Sequence, residues 1–139
     1  YIEINELLRI SRGKRYNKLG ILLKGILDKL PNYTRFVYRG VNLTDNELQR
    51  YIDADKNGTI LIEHSFLSTS KSRAITYFSD KKVKFTIRSK TGKDIEVYSK
   101  YGAYTSRNEQ EVLFTPNCKF NVLEVRKNEE YTLIIMEEI

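Results

Sequence analysis

The change of hydrophobic period at Pro31-Asn32 constrains this chain more than any other feature. Before it, residues 16–30 place Leu19, Leu22, Leu23, Ile26, Leu27 and Leu30 at spacings of three and four. That spacing makes one apolar face of an amphipathic helix, which Pro31 and Asn32 stop. A shorter helix fits residues 3–10, and Gly13 breaks it. After Pro31 the chain turns β-branched and aromatic, beginning with the strand Arg35-Phe36-Val37-Tyr38-Arg39. Further strands are expected at Ile60-Leu61-Ile62, Ser65 to Ser68, Val83 to Arg88, Asp94 to Ser99, Glu111 to Phe114, Lys119 to Arg126 and Glu130 to Glu137. Thr44-Asp45-Asn46-Glu47 resembles a capping box and opens a short helix over Asp45 to Ile52. A second short helix fits Ser72 to Phe78. Lys56 to Thr59 and Thr91-Gly92-Lys93 read as turns.

Helices first and strands after imply an α+β fold. The helical part is expected over residues 1–31, with its 19–30 face on the sheet, and the mainly β part over 32–139. A length of 139 residues suits one domain with its own hydrophobic core. The start at Tyr1, without signal peptide or lipidation motif, suggests a piece of a longer protein. The apolar run at Gly20-Ile21-Leu22-Leu23, broken by Lys24, is far too short to span a bilayer. A single cysteine, Cys118, excludes an internal disulfide. With His64 as the only histidine, a zinc cluster lacks its three or four ligands, so no metal is expected. Any histidine-based triad would have to use His64.

The net charge is +6, unevenly placed. Residues 9–30 carry seven basic groups against one acid, residues 71–100 carry nine against three, and residues 101–139 are net acidic. Basic surfaces of this kind attract phosphates, nucleic acid or acidic proteins, and they equally serve as solvated faces.

Three short stretches could carry chemistry. Tyr38-Arg39-Gly40 ends an apolar strand, where a guanidinium can meet a ligand while the glycine lets backbone approach closely. In Ser65-Phe66-Leu67-Ser68-Thr69-Ser70, strand alternation turns Ser68 and Ser70 to one face and Thr69 to the other. Hydroxyls there can orient a carboxylate or a ribose. In Arg107 to Phe114, Glu109 and Glu111 share a face if the segment is extended, a pairing unfavourable unless a cation or ligand uses it. Singly, each stretch also fits a plain surface: an edge-strand arginine, a polar strand end, a solvated strand entrance.

Taken in order, an arginine, Ser-Thr-Ser and Glu-x-Glu on three strands resemble the arginine–serine–glutamate class of mono-ADP-ribosyltransferases. That group includes enzymes of cholera-toxin type and the clostridial binary and Rho-modifying toxins. The flanks Leu27-Asp28-Lys29-Leu30-Pro31, Phe36 to Gly40, Lys93-Asp94-Ile95, Glu109 to Phe114 and Phe120-Asn121-Val122 look like the family too, so the resemblance runs from about residue 20 to the end. It implies a mixed, mainly antiparallel two-sheet β core that binds NAD as co-substrate. It also implies cleavage of the nicotinamide–ribose bond through an oxocarbenium-like transition state, as in glycoside cleavage.

By the same resemblance, Arg39 binds NAD through paired bonds to phosphate oxygens. Gly40 brings backbone polar groups to the nicotinamide amide. Ser68 holds the catalytic glutamate, and Thr69 and Ser70 shape the strand. Glu111 accepts a bond from a ribose hydroxyl and stabilises the developing charge. Glu109 in place of glutamine points to an arginine acceptor, because a carboxylate can orient a guanidinium and help take its proton. Tyr101 and Tyr104, in the loop Lys100 to Asn108, are candidate contacts to a target protein. Phe78 is the candidate aromatic on the nicotinamide side, although the segment from Ser70 to Val83 is short compared with many of these toxins. His64 and Cys118 read as structural.

The expected activity is therefore transfer of ADP-ribose to an arginine of a target protein, by a toxin or effector secreted or injected into a foreign cytoplasm. Toxins of this kind often need an immunity protein. Two alternatives stay open: an NAD glycohydrolase on the same scaffold, and a non-enzymatic basic domain for RNA or another polyanion, which would bind with steep salt dependence.

Overall fold

The chain folds into helices that lead and a sheet that follows, in a computed structural model that describes residues 2–95 and 110–139. Helices α1 (Ile2–Ile10) and α2 (Lys18–Leu27) are joined by a tight turn. Gly13 is indispensable in that turn: its φ is +75°, and a Cβ there would collide with the Asn117 amide. Asn117 also donates from Nδ2 to Gly13 O (3.1 Å), which ties the helices to the sheet. Asn17 caps α2, its Oδ1 accepting from Gly20 N at 2.7 Å.

Only part of the expected apolar face of α2 reaches the core. Leu27 is buried, and Leu23 and Leu30 pack with Leu8, Phe66 and Leu113. Leu19, Leu22 and Ile26 are exposed. The line of contact runs through Gly20, which is buried and whose absent Cβ would lie 3.2 Å from Ile4. Side chains one step round the helix from that line face outward. The helix also ends at Leu27, short of Pro31.

The remaining elements are β1 (Asn32–Tyr33), β2 (Phe36–Val41), α3 (Asp45–Asn57), β3 (Ile60–Glu63), β4 (Leu67–Ser70), α4 (Arg73–Tyr77), β5 (Val83–Arg88), β6 (Gly92–Asp94), β7 (Glu111–Phe114), β8 (Cys118–Lys127) and β9 (Thr132–Glu138). The capping box of α3 is formed, with Glu47 N bonded to Thr44 Oγ1 and Thr44 N to Glu47 Oε1. The helix runs beyond Ile52 to Asn57 because Tyr51 and Ala54 stay buried against the sheet. It stops at Gly58, whose φ is +63°. Gly92 lies in a strand, not a turn: a Cβ there would stand 2.7 Å from Val112 Cγ1, so glycine is what lets β6 approach β7.

Among the described residues the strands form one continuous hydrogen-bonded order, β1-β6-β7-β4-β2-β5-β9-β8-β3, rather than two delimited sheets. Every pairing is antiparallel except β5 with β9. The order is thinnest between β2 and β4, whose register holds only Tyr38↔Ser70. The core beside that seam is built from Val37, Phe85, Ile87, Phe114, Phe120, Ile134 and Met136, all almost fully buried. Burying each such side chain contributes about 1.5–3 kcal/mol. Edge-to-face ring pairs, Tyr51 with Phe85 and Phe114 with Phe120, lock the layers.

Candidate active site

The seam between β2 and β4 is where six of the sequence-predicted residues meet: Arg39, Gly40, Ser68, Thr69, Ser70 and Glu111. β2 pairs with β5 along its whole length, Phe36↔Arg88 to Val41↔Val83. On its other edge the ladder to β4 stops at Tyr38, and the next residue, Arg39, reaches across with its side chain. Its Nη1 donates to Ser68 O at 3.0 Å. Burial lowers the Arg39 pKa from its ordinary value, while Tyr51 and Glu63 pull it back up. A guanidinium keeps its charge through any such shift.

Ser68 passes the connection on. Its Oγ donates to Glu111 Oε2 at 2.6 Å, a short charge-assisted bond from β4 to β7. Thr69 points the other way; its Oγ1 is buried and donates to Val112 O at 2.6 Å. Ser70 faces Glu111 in register, and its Oγ accepts from Ser72 N, turning the chain into α4. Arg39, Ser68 and Glu111 thus form one hydrogen-bonded line across three strands. They line a cleft of about 420 Å³, with Ile75, Ser79 and Lys81 contributed by α4 and the segment after it. Gly40 lets that segment close in, since a Cβ there would meet Ser79 Oγ at 2.9 Å.

Phe78 caps the C-terminus of α4 and is 91% exposed, outside the lining of the cleft. Glu109, Tyr101 and Tyr104 lie outside the described residues. His64 sits 3.2 Å from Asn117 Oδ1 and borders a second cleft of about 310 Å³. This cleft shares Arg39 with the first and adds Arg9, Arg50 and Asn5. Asn5 clamps Phe66 from both sides, Nδ2 to Phe66 O and Oδ1 from Phe66 N. Arg50 donates to Ile62 O at 2.6 Å and lies 3.6 Å from Glu63, which also accepts from Tyr51 at 2.7 Å. Burial and the Glu63 charge raise the Tyr51 pKa, so it stays a protonated donor.

Sequence reasoning missed Asn5, Arg9, Arg50 and Lys81. For Arg9 and Lys81 the only signal was the charge excess of their segments; Asn5 and Arg50 carried none. Among the described residues no cluster of three or more His, Cys, Asp or Glu could hold a metal. No described helix is long and apolar enough to cross a membrane.

Comparison with known proteins gives the family and the fold. The family model "NAD:arginine ADP-ribosyltransferase" matches residues 4–139. The protein-arginine ADP-ribosyltransferase Tre1 of Pseudomonas putida is 36% identical over 114 residues, covering 81% of this chain and 21% of its own length. Tre1 of Serratia proteamaculans is 34% identical over 113 residues, covering 81% and 22%. The chain therefore spans about a fifth of the length of these relatives. The crystal structure of Vis from Vibrio splendidus in complex with agmatine superposes with a TM-score of 0.62 at 26% identity, covering 86% of this chain and 56% of that one. HopU1 of Pseudomonas syringae, at 19% identity and a TM-score of 0.73 over all of this chain and 65% of its own, shares the fold. The match over residues 4–139 places this chain in the NAD:arginine ADP-ribosyltransferase family.

Proposed function

We propose that this chain cleaves NAD and transfers ADP-ribose to an arginine side chain of a target protein. The observation that carries the reading is the hydrogen-bonded line Arg39, Ser68, Glu111 along one open cleft. Breaking the nicotinamide–ribose bond builds positive charge on the sugar, and a fixed carboxylate beside it lowers that barrier. Glu111 supplies the carboxylate, and the Ser68 hydroxyl holds one of its oxygens so that the other is free to face the ribose. Arg39 borders both clefts, and its guanidinium can make paired bonds to the phosphate oxygens of NAD. The second cleft adds Arg9 and Arg50 but also Glu47 and Glu63, so Arg39 is the cation assigned to the diphosphate. Gly40, Thr69 and Ser70 hold the strands around the ligand. Phe78 stands free to fold over nicotinamide once NAD is bound.

The acceptor assignment rests on Glu109, two residues before Glu111, where a carboxylate can orient a guanidinium and help take its proton. Two further facts support it: the Tre1 relatives are named for protein-arginine transfer, and Vis was crystallised with agmatine, a guanidinium compound. Tyr101 and Tyr104 are proposed to contact the target. Vis is described as a toxin, which favours action inside a foreign cell and an immunity protein in the producing one.

The test is incubation with labelled NAD and agmatine or a cell lysate. Labelled ADP-ribose should appear on the guanidinium, and Glu111→Ala should abolish it. Labelling unaffected by Glu111→Ala sinks the assignment; nicotinamide release with no labelled acceptor would identify a glycohydrolase instead.

A further inference from the structure

Lys84 is a buried charge that neither the family motifs nor the cleft accounts for. It lies on β5 opposite Gly40 and is only 5% exposed. No carboxylate among the described residues pairs with it. A buried ammonium without an anion is costly unless other groups replace its water. Here they do. Nζ donates to Tyr77 O at 2.7 Å and to Ser79 O at 3.3 Å. It also stands 4.7 Å from the Tyr131 ring centre and 5.8 Å from that of Tyr77, and these two rings meet edge to face.

Both accepting carbonyls belong to the end of α4 and the segment after it, the part of the chain that borders the cleft. Ser79 is held twice more in the same place: its Oγ donates to Thr76 O at 2.7 Å, and it sits against Gly40, where no Cβ intervenes. Ser79 and Lys81 line the cleft, whereas Lys84 does not. We infer that Lys84 is a positioning residue for NAD binding, a staple that pins the α4–β5 segment against β2 and so sets the width of the cleft. The chemistry of the seam does not pass through it, because Arg39, Ser68 and Glu111 are held by β2, β4 and β7.

The inference rests on NAD occupying that cleft, and its test separates the two. Lys84→Met keeps the stem and removes the ammonium. In nicotinamide release without acceptor, KM for NAD should rise about tenfold with kcat within about twofold, and calorimetric affinity for NAD should fall by the same factor. Lys84→Arg, still a cation that can donate to both carbonyls, should recover most of the loss. Should Lys84→Met fail to fold, Tyr131→Leu withdraws one ring from the ammonium and should raise KM about threefold. A folded variant of either kind with unchanged KM and affinity overturns the role of Lys84 alone. A wild-type protein that neither binds nor turns over NAD overturns the cleft assignment and this inference with it.

Discussion

Two neighbouring parts of the sheet are built by opposite means. In the block β5-β9-β8 the ladder is dense: Val83↔Thr132 to Arg88↔Glu137 on one side of β9, and Phe120↔Glu138 to Lys127↔Thr132 on the other. Phe85, Ile87, Ile134 and Met136 fill the face behind it. At the β2–β4 seam the ladder thins to Tyr38↔Ser70, and side chains take over, Arg39 to Ser68 O and Ser68 to Glu111. Where strands pair fully, backbone groups satisfy one another and little is left to meet a ligand. Where pairing lapses, polar side chains must fill in, and the same side chains are then available for chemistry. The block supplies rigidity, and the seam beside it supplies reactivity.

Removing the carboxylate of the seam tests the contrast most sharply. Glu111→Ala should lower kcat for nicotinamide release about a thousandfold, with stability changed by less than about 1 kcal/mol. A large loss of stability would mean that the seam is structural and the division false. Single-turnover kinetics beside a urea titration read both quantities.

The next largest effect belongs to the block side. Cys118 heads β8, its Sγ bonded to Thr115 O, and burial pushes its thiol up to about 11. The thiolate is the reactive form, so at pH 8 alkylation should run about a hundredfold slower than for an ordinary thiol and accelerate as pH rises toward 11. Because the folded value is the raised one, the associated stability is present below the ordinary thiol pKa and is lost as pH climbs through about 11. Fast labelling at pH 8 would show local opening at the end of the block.

Much of this division could be read from the chain, and the unread part has physical causes. Thr44 to Glu47 announced α3, since a capping box is local in sequence. Arg39, Ser68 and Glu111 stood out as residue types, but periodicity alone says nothing of three strands converging; the resemblance supplied that. Gly92 looked like a turn because a missing Cβ signals conformational freedom and close approach alike, and here it meant approach to Val112. The second cleft was invisible because Asn5, Arg9 and Arg50 come from two helices far apart in sequence. Lys84 in Val83 to Arg88 reads as an ordinary strand lysine; only the fold brings Tyr77, Ser79 and Tyr131 around it.

Smaller than either effect above is the loss of the bridge within the seam. Ser68→Ala removes the bond to Glu111 Oε2 and frees the carboxylate to rotate, while Ser68 O still accepts from Arg39. Activity should fall about tenfold, mostly in kcat, the size expected of one charge-assisted hydrogen bond. Ser68→Thr restores the hydroxyl and should recover part of it. A Ser68→Ala enzyme with full activity would show that Glu111 is oriented by the strand alone.

The gentlest test trims the block by one methylene. Ile134 is fully buried on β9 between Phe85 of β5 and Val125 of β8. Ile134→Val should cost about 0.5–1.5 kcal/mol of stability, through lost burial and a small void that a close-packed interior fills poorly. The same variant should keep kcat and KM for NAD within about 1.5-fold at temperatures well below its Tm, because small substitutions away from a site act independently of it. β5 makes this a demanding test: it pairs β9 on one edge and β2 on the other, so a shift of Phe85 would reach Arg39, its register partner. An increase in KM that accompanies the loss of stability would mean that the block transmits its packing to the seam through β5. Rigidity and reactivity would then be one mechanical unit instead of two.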